Sequence, residues 1–529
     1  MTSKKIYILD TTLRDGQQSP GAGMSAADNL AYAALAHKLK IDILEAGFPA
    51  ASTTDFAIVQ QISQNMAALN SPMIISGLCQ LREEQVHTTM AALAPSLALG
   101  RGRIHIYVPV DPELMSASLG KLADDKPLIL RTAAKLVKIA HAAGFEVEFT
   151  PEGYSRQGEN FDFVSDLIRT VIAAGATIIN CPDTIGGASR HQGDAYFVHK
   201  MAQHAALMRQ EFPDKDLIWS MHCHNDFGLA LDNTMEAVFN GVARQIEGCI
   251  NGVGERAGNV ALEQCIMLIR HFGAGEHLAE KVHCDIALQH LKEASDFIAA
   301  RMLPRQPHSP IVGQNSAAHT SGGHINAILK NPLAYQPFDP KDIGSELSLV
   351  FGPLSGSNHA QQIIQKFHYR CDDNEKVALT QAIKDHYAER RKGITDDELL
   401  LAYKAYRAPI KLTDLSYAKD TSGNTLVTLH GQFFSVRDLI IEYHGRGSAL
   451  SALNNAVNQH LATVTVLDYN SHSRGATVAA LCCSNIVIDV NGERYSGSAD
   501  DEDIEISALK AFIAAVNAAH LELNYKRRI

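Results

Sequence analysis

Trp219-Ser220-Met221-His222-Cys223-His224-Asn225-Asp226 is a short apolar run that ends in two imidazoles and a carboxylate. Side chains alternate between the faces of a strand, so His222 and His224 share one face and Cys223 takes the other as a packed thiol. Working outward, apolar β-rich runs recur from Lys5 to about Gly275, separated by longer stretches of helical spacing. The runs number eight: Ile6 to Asp10, Ile41 to Ala46, Met73 to Gly77, Ile104 to Val108, Glu146 to Phe149, Thr177 to Asn180, Leu217 to Met221, and Arg244 to Glu247. Such alternation marks a parallel α/β fold, and eight strand-helix units suit a closed TIM-type (β/α)8 barrel better than an open doubly wound sheet.

Nearly every run ends in a group capable of chemistry: Arg14 and Asp15, Glu45, His105, Glu152, Asp183 and Thr184, His222 and His224, then Asn251. Singly, each reads as a loop charge or a helix cap. Recurrence around a barrel places them together at the mouth formed by the strand carboxyl ends. Two same-face imidazoles beside an acid make a divalent-cation clamp, and strands one and seven are near neighbours across closure. Asp15, His222 and His224 are therefore the expected ligands of Mg2+, Mn2+ or Zn2+, with open positions for a chelating substrate. Glu45 and His105 are expected to line the same mouth as substrate-orienting groups.

At 529 residues, the chain is too long for one compact core, and its 46% hydrophobic and 20% charged content is that of a globular protein. The net charge of -11 argues against nucleic acid or an anionic membrane as the main partner. Nine cysteines without zinc-ribbon or scaffold spacing fit a reducing cytoplasm. Neither a signal peptide nor a membrane span is expected, because Met1 to Asp10 runs straight into a strand-like segment and no stretch approaches about 18 consecutive apolar residues. The expected organisation is a catalytic barrel over 1–280, helical linker subdomains over 281–407, and a carboxyl-terminal α+β domain over 408–529. In that last domain a β-rich segment followed by a helix is duplicated: Ser451 to Leu461 is echoed by Ser507-Ala508-Leu509, Val516-Asn517 and His520-Leu521.

Asp10-Thr11-Thr12-Leu13-Arg14-Asp15-Gly16-Gln17-Gln18-Ser19-Pro20-Gly21, the His222–Asp226 segment and Gly252-Val253-Gly254-Glu255-Arg256-Ala257-Gly258-Asn259 together resemble the family of 2-isopropylmalate, homocitrate and citramalate synthases. The resemblance continues through Ala318-His319-Thr320-Ser321-Gly322-Gly323-His324 and Tyr335-Gln336-Pro337-Phe338-Asp339-Pro340, and is strongest towards the 2-isopropylmalate synthases. It implies a metal-dependent condensation of acetyl-CoA with a 2-oxo acid. Asn259 becomes a fourth metal ligand or neighbour of the metal, Arg14 faces the developing oxyanion, and Thr184 holds the 2-oxo acid carboxylate. Glu152, His324 and Tyr335 match the family's proton-transfer groups, with His324 as part of the base. It also implies a homodimer whose linker reaches a mouth, and leucine as effector near Gly445-Arg446-Gly447-Ser448 and Gly497-Ser498-Ala499-Asp500.

Alternatives remain open at this level. A lyase of the same barrel class would carry a cysteine where this chain has Glu255 and Arg256; a biotin-dependent carboxyltransferase would carry a biotinyl sequence. A non-catalytic amino-acid sensor is the reading from a different class. Pyruvate rivals 2-oxoisovalerate as substrate, because Gly187, Ile325-Asn326 and Val108-Pro109-Val110-Asp111 depart from the family pattern near the expected mouth.

Overall fold

The computed structural model describes residues 3–278, 280–390, 392–444, 447–461, 463–474 and 481–527. Its chain divides into two compact units, 1–317 with 338–347, and 318–337 with 348–529.

The first unit is a closed barrel of parallel strands β1 (Tyr7–Asp10), β2 (Ile43–Glu45), β3 (Ile74–Gln80), β4 (Gly102–Pro109), β5 (Glu146–Glu152), β6 (Ile178–Asp183), β7 (Ile218–Cys223) and β8 (Gln245–Gly248). Closure comes from β8, which pairs with β7 on one side and β1 on the other. The alternation read in the sequence is visible in β4 and β5. Ile104, Ile106, Val147 and Phe149 are buried outward, whereas Arg103 and His105 meet Glu148 and Thr150 within the barrel. The surrounding helices bury one stripe each. Phe161–Ala174 buries Phe163, Val164, Leu167, Ile168, Val171 and Ile172, pairs spaced at the helical repeat.

Polar layers replace much of the expected apolar filling. Near the amino ends of the strands, Arg103 bonds Glu148 at 2.9 Å and Gln245 at 2.7 Å, and Gln245 reaches Ser220 at 2.9 Å. Above it, Glu45, His105, Asn180 and Glu247 come from β2, β4, β6 and β8, the alternate-strand composition of a barrel layer.

The second unit begins with helices, including Ser357–Lys366, Lys376–His386 and Asp396–Arg407, around Ile364, Leu379 and Tyr403. Two antiparallel three-stranded sheets follow: β9 (Ile410–Lys419), β10 (Thr425–Phe433) and β11 (Val436–Tyr443), then β12 (Val464–Arg474), β13 (Leu481–Val490) and β14 (Glu493–Asp501). A helix follows each sheet, Ala449–Val457 and Ile504–Tyr525, so the duplicated plan is present. Ile504–Tyr525 has the length and apolar composition of a membrane-crossing helix; its Leu509, Phe512 and Val516 lie in the core of this part.

Glu263, fully buried in the first turn of Leu262–Phe272, accepts the Asn251 N–H at 3.0 Å and so anchors the loop after β8. Burial pushes its carboxyl up to about 7. A carboxyl raised in the folded state binds its proton more tightly there, so stability falls as pH rises from the unfolded value through 7. Relative to Glu263→Gln, the protein is expected to lose about 3 kcal/mol between pH 4.5 and 7.5 in urea unfolding. A pH-independent difference would contradict this.

Candidate active site at the barrel mouth

A cavity of about 290 Å3 opens at the carboxyl ends of the strands, and Arg14, Asp15, His105, Glu152, Thr184, His222 and His224 all line it. Glu45, immediately beneath, is fully buried. Most of the sequence-derived barrel residues thus converge on one place. Asn251 does not. Its amide donates to Ser295 O at 2.8 Å, which ties the loop to the helix Leu291–Arg301, and Glu247 supplies the mouth from β8 instead. Glu247 closes the eighth apolar run and shares the inward alternation, the signal that could have found it. Tyr107, Asn180, Glu255 and Arg256 also line the cavity without having been singled out for it.

Asp15, His222 and His224 form one cluster with the geometry of a clamp. The two Nε2 atoms lie 3.1 Å apart, and Asp15 Oδ2 is 3.9 and 3.8 Å from them. Burial lowers both imidazoles, His222 to about 4 and His224 to about 3, so both are neutral and hold lone pairs at ordinary pH. Burial works against ionisation of Asp15, but Arg14 and the imidazoles hold its carboxyl at about 2.

Asn259 donates through Nδ2 to Asp15 Oδ1 at 2.7 Å and to Val253 O at 3.1 Å. Its Oδ1 is buried without a hydrogen-bond partner. A buried orphan acceptor beside a carboxylate and two neutral imidazoles is a donor set that fits a divalent cation. Gly254 permits this approach. At φ 153°, a Cβ there would sit 2.1 Å from Asn259 Nδ2 and 2.9 Å from Asp15 Oδ1.

Arg14 is engaged on three sides: Nε with Glu45 at 2.5 Å, Nη1 with Asp15 at 2.5 Å and Nη2 with Glu247 at 2.7 Å. Burial opposes ionisation of Glu45, yet Arg14 and His105 bring it well below the usual carboxylate range. Burial and the Glu45 charge push Glu247 up to about 7. Burial would lower His105, but Glu45, 2.6 Å from its Nδ1, raises it to about 9. Thr184 Oγ1 accepts the Gly153 N–H at 2.9 Å, which leaves its hydroxyl proton to donate elsewhere. Burial raises Glu152. Arg256 donates to Asp226 at 2.9 Å and to His224 Nδ1 at 2.7 Å; the latter contact puts the neutral ring's proton on Nε2, so a cation at Nε2 requires Arg256 to release Nδ1 and the proton to move there.

The other expected residues fall differently. His324 and Tyr335 belong to the second unit, where their rings stack with centroids 3.9 Å apart. Val108 and Val110 are buried in the core, Asp111 caps the helix Pro112–Ser118, and neither that segment nor Gly187 is among the described residues that line the cavity. Those positions flank the mouth without lining it: the Val110 N–H bonds Glu152 O at 2.8 Å, and Gly187 follows Gly186, which lies against Asp226.

The segment that forms this closed barrel and its acid-imidazole cluster is of the HMGL-like class, a family description that matches residues 5–298. A homocitrate synthase post-HMGL domain-like description matches 311–392, and a LeuA allosteric (dimerisation) domain description matches 394–520. A 2-isopropylmalate synthase from Chromobacterium violaceum is 31% identical over 98% of this chain and 98% of that protein. One from Synechocystis is 32% identical over 99% and 97%. A probable 2-isopropylmalate synthase from Glycine max is 31% identical over 97% and 93%. The chain belongs to the 2-isopropylmalate synthase family.

Replacing Arg14 with Met leaves Asp15, Glu45 and Glu247 buried without their cation, a loss of about 3–5 kcal/mol. The loss is expected to grow between pH 5 and 8, because uncompensated carboxyls take up protons in the folded state and must give them up as pH rises. Urea unfolding in the presence of a chelator measures it. A pH-independent loss below about 1 kcal/mol would contradict the central role of this ion cluster.

Proposed function

We propose that this chain condenses acetyl-CoA with 2-oxoisovalerate and hydrolyses the resulting thioester, the reaction of a 2-isopropylmalate synthase. The observation that carries this reading is the neutral His222–His224 pair facing Asp15 and the orphaned Asn259 oxygen, in a cavity sized for a small 2-oxo acid. Asp15, His222 and His224 would hold a divalent cation, with Asn259 beside them. When bound, it supplies Lewis-acid polarisation of the substrate carbonyl.

The chain's own groups do the rest. Thr184 donates its free hydroxyl proton to the substrate carboxylate. Arg14 keeps positive charge at the mouth, against the oxyanion that grows as the carbon-carbon bond forms. Glu152, whose carboxyl burial raises above its ordinary value, assists the base. His324, stacked with Tyr335, takes the methyl proton of acetyl-CoA. Glu45 and His105 orient the groups above them. The active species is a homodimer in which the linker completes a mouth, and leucine is the effector at the carboxyl-terminal domain. Of its candidate pocket, Gly447, Ser448 and Gly497–Asp500 are described, whereas Gly445 and Arg446 lie outside the described residues.

One observation favours pyruvate as a second reading: among the described residues, Leu78 and Pro182 are the only aliphatic side chains in an otherwise polar or aromatic lining. A CoA-release assay with 2-oxoisovalerate, pyruvate and 2-oxoglutarate decides between them. At least about a tenfold preference in kcat/KM for 2-oxoisovalerate is expected from its additional methyl groups; preference for pyruvate overturns the substrate assignment.

His222→Ala is expected to lose both bound metal and turnover, with metal content read by mass spectrometry. Gly254→Ala, which displaces Asn259 and Asp15, is expected to weaken metal binding while the fold survives. A fully active, metal-free His222→Ala enzyme contradicts the metal assignment. His324→Ala should retain metal but lose solvent-proton exchange into acetyl-CoA; normal exchange and turnover would remove it from the base role.

A further inference from the structure

Phe434 holds a backbone conformation that a bulky residue rarely adopts. It opens the two-residue turn between β10 and β11 at φ 52°, a position where Gly, Asn or Asp is the ordinary occupant. Its N–H bonds Pro409 O at 2.7 Å. Its ring stacks on His460 with centroids 5.0 Å apart and planes 13° apart, and meets His520 edge-on at 6.2 Å. Strain of this kind survives where the surroundings enforce it, and it gathers at binding sites.

These rings wall a groove of about 650 Å3 whose lining includes Tyr406, Arg407, Lys411 and Tyr525 and, among the described residues, no carboxylate. Lys411 has no ion-pair partner among the described residues; its ammonium bonds the Tyr406 carbonyl at 2.7 Å and lies 5.4 Å from that ring's centroid. Burial lowers its pKa. The Arg407 guanidinium pairs with Glu375 and lies over Tyr525, 4.3 Å from the ring centroid. His520 Nδ1 faces the Asn524 amide at 3.2 Å, so its ring proton sits on Nε2. The groove is therefore cationic and aromatic at once. An anionic group finds the unpaired Lys411 ammonium, with the Glu375-paired Arg407 beside it, and a planar body finds several ring faces.

Its position separates it from the expected effector pocket. Gly447 and Ser448 precede the helix Ala449–Val457, and His460 follows it, so the helix length of about 13 Å lies between them. It shares no lining residue with the barrel cavity. We propose that this groove is a second ligand site that takes an adenine nucleotide, with the base against Phe434 and Tyr525 and the phosphate on Lys411 and His460. The nucleotide can be free or form the end of a coenzyme.

Titration calorimetry on the full chain with ADP, CoA and inorganic phosphate tests this, using Phe434→Gly and Lys411→Gln. Glycine suits φ 52°, so Phe434→Gly keeps the fold, as its melting temperature will report. ADP is expected to bind once per chain, more tightly than phosphate, and each substitution is expected to weaken it about tenfold or more with basal turnover unchanged. CoA binding that weakens in parallel identifies the coenzyme as a source; CoA binding that does not respond assigns the groove to free nucleotides. Absence of ADP and CoA binding at millimolar concentration, or ADP and CoA binding indifferent to both substitutions, overturns the proposal.

Discussion

Three carboxylates meet one guanidinium at the top of the barrel, and the rest of the mouth depends on that meeting. Asp15, Glu45 and Glu247 are buried, and each alone would rather be protonated than remain charged away from water. Arg14 touches all three, while His105 adds a second cation against Glu45. The result is unequal: Glu45 stays ionised, whereas Glu247 moves up to about 7. A site that could have carried several uncompensated charges instead stores a proton near neutrality beside His222.

That electrostatic frame also explains why His222 and His224 are available as ligands. Both imidazoles are buried among charges of both signs and neither gains its proton at ordinary pH. Asp15 is held ionised beside them, and Asn259 spends its amide hydrogens on Asp15 and Val253, which leaves its oxygen unmatched. The close approach of Gly254 is the steric counterpart of the same arrangement. Charge and backbone shape thus converge on one small volume from the end of β7 and the loops after β1, β7 and β8.

The strand order, the barrel and the acid-imidazole cluster were legible because alternation has a fixed period and strand ends in a barrel share one mouth. His222 and His224 could be placed on one face from spacing alone. Glu247 and Asn180 were harder, since each closes an apolar run and looks like its boundary. Asn251 misled for the opposite reason: it lies just past a strand, but a backbone at φ 61° turns its amide towards Ser295. No local pattern announces such a turn. The segment Val108–Asp111 does end beside the mouth, but one-residue alternation decides which neighbours face inward, and there Tyr107 faces the cavity while Val108 packs outside. The duplicated carboxyl-terminal plan was readable from its echoing helices, whereas the groove beside Phe434 depends on residues from four separate segments and left no contiguous trace.

The path of the chain between the two units has a consequence for modularity. Residues 318–337 belong to the second unit, but 338–347 return to the first, where Phe338 packs on His271 and Gly344 lies against Gln289. A cut at 317 would therefore remove part of the barrel's own packing along with the module that follows. A join downstream of 347 would leave the barrel complete but would strand 318–337 of the second unit with it, so no single crossover exchanges one unit intact for another.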